Sequence, residues 1–214
     1  MTRRVLLPAL LLALPVAARA QVERLAGRLP DAARAQVAAL VDSATAAGLP
    51  ADPLVNKALE GASKGADGAR ITAAVRALAG DLARARAALG AASTEAELVA
   101  GAAALRAGAS PAFLGRLRGD YPGSPVVVPL AVMADLVSRG VPADTAGRAV
   151  LALARAGVRD AQLVAFRQSV ERDIALGAPA GAAAAVRVNA AERDLGAALS
   201  SVTPGAAPRP PRKP

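Results

Sequence analysis

Residues 48–84 overlay residues 140–176 without a gap, at an offset of 92, and the two stretches agree in punctuation as well as in chemistry. The corner Gly48-Leu49-Pro50-Ala51-Asp52 recurs as Gly140-Val141-Pro142-Ala143-Asp144. Beyond it Leu59 falls on Leu151, Gly65 on Gly157 and Asp81 on Asp173, and the apolar set Ile71, Leu78, Leu82 falls on Leu163, Val170, Ile174. A repeated unit with helical spacing between glycine and proline stops has to bury its apolar face against neighbouring helices. That confines the chain to stacked or bundled helices, whose function usually lies on a surface.

The helical reading extends over most of the chain. From Asp67 to Leu89, Ile71, Val75, Leu78, Leu82, Ala85 and Leu89 advance by threes and fours, while Arg70, Arg76, Asp81, Arg84 and Arg86 occupy the other side. The matching run from Asp160 places Leu163, Phe166, Val170 and Ile174 on one face. At the corners, Gly48 can take the left-handed conformation that ends a helix and Pro50 prevents its continuation. Asp52 is expected to cap the next helix, with the same roles at Gly140, Pro142 and Asp144. Ser110 and Pro111 repeat this grammar as a cap followed by a proline in the first helical position.

Helices are expected over 31–47, 52–63, 67–89, 94–107, 111–118, 127–139, 143–156, 159–176 and 180–199. The β-branched run Val126-Val127-Val128 is read as the start of a helix, because a lone strand has no partner and Pro129 opposes pairing. The expected fold is all-α, with duplicated helix-turn-helix units packed as a short solenoid-like or irregular helical array.

The first twenty residues have the form of an export signal: Arg3 and Arg4, an apolar stretch from Val5 to Val16, then Ala18-Arg19-Ala20 before Gln21. Cleavage is expected between Ala20 and Gln21, giving a periplasmic or extracellular protein. The expected organisation is a signal peptide over 1–20, a helical repeat domain over 21–203 and a disordered, proline- and arginine-rich tail over 204–214. The arginine pair also resembles a twin-arginine signal.

Location changes the meaning of the formal charge of +9. Arg3, Arg4 and Arg19 leave with the signal, reducing it to +6, and Arg209, Arg212 and Lys213 of the tail reduce it to +3 for residues 21–203. So balanced a body, with Phe113, Phe166 and Tyr121 as its only aromatics, does not suit nucleic acid, which needs basic faces and rings for base stacking.

The chain has no histidine and no cysteine. Disulfides, thiol chemistry and the commonest general base and metal ligand are therefore missing, and neither a cofactor nor a metal site nor catalysis is expected. The most distinctive polar stretch is Asn56-Lys57-Ala58-Leu59-Glu60-Gly61-Ala62-Ser63-Lys64, which holds two of three lysines in a chain with 23 arginines. Glu60 lies three residues after Lys57 and four before Lys64, so the three share a helix face as either a recognition patch or an ordinary solvated ion-pair face. The second copy has Ala149, Ala152 and Ala156 at these positions. Asp120 and Tyr121 complete the candidate interaction residues; the other reading of them is a turn with an aromatic lid over the helix ends.

From Gly48 to Gly65 the chain carries the block G-L-P-x-x-P-L-V-x-K-A-L-E-G-x-x-K-G. It resembles a family of secreted, alanine-rich helical proteins of bacteria over residues 36–90. The resemblance implies export and an all-helical fold, and brings no activity, cofactor or site residue.

The leading expectation is an exported helical-repeat scaffold or binding protein that engages a protein or cell-envelope component through a helix face. The second is attachment to a membrane surface or an anionic cell-wall polymer through arginine-rich faces and the tail. The third is an enzyme using Glu60 with Lys57 or Lys64. Alanine-rich helices also permit the close approach that self-association requires.

Overall fold

The computed structural model describes residues 22–158 and 160–201. Among them every regular element is a helix: α1 (Asp31–Ala46), α2 (Asp52–Ser63), α3 (Gly68–Leu89), α4 (Glu95–Arg106), α5 (Pro111–Asp120), α6 (Val127–Ser138), α7 (Ala143–Arg155), α8 (Asp160–Ala175) and α9 (Ala180–Ser201). The expected signal with its Ala20–Gln21 cleavage point and the tail from residue 204 lie outside the described residues. The run at Val126 does start a helix, α6, with Pro129 in its first turn, where a missing N–H costs nothing.

The duplicated corners close on the same atoms in both copies. Gly48 N–H donates to the Thr45 carbonyl at 2.9 Å and Leu49 N–H to that of Ala44 at 2.9 Å. At the offset of 92, Gly140 donates to Val137 at 2.9 Å and Val141 to Leu136 at 3.1 Å. Both glycines have positive φ, +74° and +89°, a region closed to side chains with a Cβ at little cost. The next corner repeats in the same way: Gly65 donates to Ala62 and Ala66 to Gly61, matched by Gly157 to Ala154 and Val158 to Leu153, all at 3.0 Å.

The expected aspartate caps do not form. The residue preceding α2 is Ala51, itself in helical conformation, and Pro142 precedes α7; neither helix start receives a side-chain hydrogen bond. Asp52 and Asp144 lie within the first turn, where a carboxylate acts on the helix dipole rather than on the orphan amides. Side-chain caps occur elsewhere. Asp67 accepts from Arg70 N–H at 2.9 Å and Ser110 Oγ from Phe113 N–H at 3.1 Å. Thr94 and Glu97 form a reciprocal capping box before α4, with Thr94 N–H donating to Glu97 Oε2 at 2.9 Å and Glu97 N–H to Thr94 Oγ1 at 3.2 Å.

The described chain divides into two compact units. One comprises the residues up to Arg106 with Ser110–Gly115, the other Ala107–Ala109 with the residues from Arg116 on. In the first, α1, α2 and α4 all pack on α3. The expected stripe of α3 is buried at Ile71, Val75, Leu82, Ala85 and Leu89, while Leu78 is half-buried. Val37 and Val41 of α1, Leu54, Val55 and Ala58 of α2 and Leu98 of α4 complete this core. Alanine buries little area, so leucines and valines, each contributing about 1.5–3 kcal/mol when fully buried, carry most of the cohesion.

The second unit repeats the corners but not the packing. Here α7 packs chiefly on α6 and α9, and α8 on the same two helices, whereas their counterparts α2 and α3 pack on each other. The copies also differ at Gly177, which has φ +96° and ends α8. Ala85 stands at the equivalent position, and there α3 runs on to Leu89. The repeated aspartate nonetheless serves both units alike. Asp81, buried on α3, accepts from Arg106 of α4 at 3.1 Å and from Arg84 at 2.5 Å. Asp173 on α8 accepts the Arg187 fork of α9 in two bonds of 2.7 Å, and these bonds hold its carboxyl below the usual aspartate range.

Close backbone approach in the first unit depends on glycine. A Cβ built on Gly68 would lie 2.8 Å from Ala33 Cβ, whereas one on Gly80 meets nothing within 4 Å. The same substitution in one helix should therefore have opposite signs. Gly68→Ala is expected to lose about 1–3 kcal/mol through the clash with a rigid methyl, while Gly80→Ala gains about 0.5–1 kcal/mol through helix propensity. Urea denaturation of the two variants measures both, and equal effects would contradict the packing of α1 on α3.

Candidate functional site

The outer face of α2 follows from its own periodicity. Leu54, Val55 and Ala58 turn inward, which leaves Asn56, Lys57, Glu60 and Lys64 toward solvent. Glu60 is their centre. Lys57 Nζ donates to its Oε2 at 2.9 Å and Lys64 Nζ to its Oε1 at 2.5 Å. These are the i,i+3 and i,i+4 pairs that the spacing predicts. Side-chain exposure rises from 30% at Lys57 through 44% at Glu60 to 70% at Lys64, so the pairs are solvated.

Asn56 joins the patch through a residue that the helix spacing does not reveal. Arg24 donates from Nη2 to Asn56 Oδ1 at 2.9 Å and from Nη1 to Asp52 Oδ1 at 3.2 Å. It thereby ties the segment before α1 to the first turns of α2. The only local hint was two polar residues, Asp52 and Asn56, four apart on one helix face.

Two open clefts flank the face. On the lysine side a cleft of about 330 Å³ is lined by Lys57, Glu60, Lys64, Arg70, Ile71 and Ala74 among others. On the other side a cleft of about 620 Å³ is lined by Arg24, Arg28, Asn56, Leu59, Glu60 and Ser63. Glu60 belongs to both walls. Around it stand five cations, Arg24, Arg28, Lys57, Lys64 and Arg70, against two carboxylates, Asp52 and Glu60, so the face keeps positive character after its internal pairs are made. Sequence reasoning missed Arg24, Arg28 and Arg70 because their approach to α2 depends on tertiary packing.

Asp120 and Tyr121 belong to the second unit and build a different local structure. Tyr121 is only 6% exposed, and its hydroxyl donates to the Val158 carbonyl at 3.1 Å, bracing the end of α5 against the corner after α7. Asp120 accepts from Arg155 Nε at 3.2 Å. The ring fills the interior and the carboxylate secures α7, so both serve packing. Among the described residues no group of three carboxylates converges as a metal site, and no helix is long and apolar enough to cross a membrane.

The duplicate shows how local the face is. Ala149 and Leu151 of α7 are buried, while their counterparts Lys57 and Leu59 on α2 remain part-exposed. No protein family, curated protein or solved structure matches the chain.

Two ammonium groups bonded to one carboxylate favour its charged form. Lys64 first and Lys57 second lower the Glu60 carboxyl from its usual value near 4.5 to about 2. Because the folded value lies below the unfolded one, the contribution of these pairs to stability is complete above about pH 4.5 and is lost as pH falls through about 2. Solvent exposure keeps that contribution small. A carbon-detected NMR titration of the Glu60 carboxyl is expected to show a midpoint near 2, moving back toward 4.5 in Lys64→Ala. A wild-type midpoint at the ordinary glutamate value would mean that the ammonium groups do not sit on it.

Proposed function

We propose that the chain is an exported helical-repeat binding protein that engages a protein or cell-envelope component through the outer face of α2. The observation that carries this reading is an asymmetry within the duplication. Both copies keep the glycine corners, the buried leucine or isoleucine of the long helix and the aspartate that anchors the following helix. Only the first sets Lys57, Glu60 and Lys64 between two clefts, where the second has alanines. A duplicated element that keeps its corners while one copy carries a charged, cleft-flanked face is suited to using that face for contact.

Binding suits the chemistry of Glu60 better than proton transfer does. A carboxylate held ionised by two ammonium groups is a weak base, and a general acid–base residue works best with a pKa near the working pH. Export rests on the leader-like sequence before Gln21 and on the resemblance of the 48–65 block to secreted helical proteins.

Affinity capture from envelope extracts tests the reading. The full chain should recover a partner that Lys57→Glu with Lys64→Glu releases, while Arg148→Glu, on an exposed position of α7, leaves it bound. Equal recovery by the wild type and the double variant would move the contact off α2.

A further inference from the structure

We infer that the face of α2 takes an acidic, amphipathic segment of a partner protein, with two groups of carboxylates separated by an uncharged apolar stretch. This rests on the reading of α2 as the contact face and specifies what occupies it.

The cations fall in two sets. Lys57, Lys64 and Arg70 line one cleft, and Arg24 and Arg28 line the other. Glu60 stands in the wall of both, so a carboxylate, already bonded to Lys57 and Lys64, lies between the two positive sets. A continuous polyanion such as polyphosphate or a phosphate-linked polymer has to lay charge over that carboxylate. Like-charge juxtaposition of this kind is how interfaces reject wrong partners. A ligand with a neutral middle avoids it.

Arg28 and Arg70 are the cations of this arrangement left to meet a ligand. Among the described residues neither guanidinium has an ion-pair partner, and each belongs to a different cleft. They can meet incoming carboxylates without first breaking a bond within the protein.

The apolar lining selects a peptide over a sugar-phosphate chain. Leu59 lies part-exposed in the Arg24/Arg28 cleft, and Ala74 part-exposed beside Ile71 in the other. The second copy adds a parallel. Leu151, the counterpart of Leu59, is buried in a unit where α6 and α9 both pack on α7. In the first unit α2 packs on α3 and more lightly on α1, and this leucine stays open. An incoming segment with apolar side chains between its acidic groups covers it while its carboxylates reach the cations.

The experiment uses the full chain and two fluorescent probes of matched charge. One is a synthetic peptide with aspartate groups at both ends of a leucine–alanine spacer; the other is polyphosphate. The peptide is expected to bind more tightly to the wild type. Its affinity should drop about tenfold in Arg28→Ala with Arg70→Ala, the combined factor expected for two exposed ion pairs, and should weaken as salt rises. Glu60→Gln should strengthen polyphosphate binding more than peptide binding, because it removes the central repulsion. Circular dichroism of these surface variants monitors folding independently.

Polyphosphate binding the wild type at least as tightly as the peptide, or peptide binding indifferent to Arg28 and Arg70, would overturn the inference. If the envelope partner is still released by the Lys57 and Lys64 reversals, such a result removes the acidic segment and leaves the face. If the partner ignores those reversals, the face itself fails.

Discussion

Helix ends closed on glycine hold this protein's architecture in place, and four of them form the duplicated corners. At Gly48, Gly65, Gly140 and Gly157 the chain turns with φ between +68° and +89°, and the last carbonyls of the incoming helix accept the amides that follow. Helices made largely of alanine offer few large side chains to specify how one packs on the next. The positions where helices stop therefore matter more than in a leucine-rich bundle. Each stop sets the length of a helix, and with it which leucines and valines reach the core.

This explains why so much of the fold was legible in the sequence. Glycine, proline and the capping residues Asp67 and Ser110 act locally, so the elements could be read from punctuation and spacing. What was not legible depends on atoms far apart in the chain. Asp52 looked like a cap, yet it sits one step inside the helix and meets Arg24 across 28 residues. Tyr121 looked like a contact residue, but it is enclosed by a corner that lies 37 residues on. The Thr94–Glu97 box is local, and Thr-x-x-Glu is its sequence signature.

The duplication also carries less than its sequence suggests. Corners and buried positions repeat, but α2 rests on α3 while α7 rests on α6 and α9. Local hydrogen bonds survive at the offset of 92, and the assembly of helices around them differs. Lys57, Glu60 and Lys64 were visible as a triplet because i,i+3 and i,i+4 pairing is a property of one helix. The clefts beside them, and the arginines that make those clefts basic, arise only from packing.

Identical glycine-centred closures stabilise both copies. Amide hydrogen exchange of the full chain tests this most directly, read at Gly48, Leu49, Gly65 and Ala66 and at Gly140, Val141, Gly157 and Val158, all of which donate to helix carbonyls. All should exchange well below the unfolded-chain rate, because opening them requires a helix end to unwind. Exchange at the unfolded-chain rate in either copy, with the helices still intact, would mean that the glycine closures do not hold the helix ends.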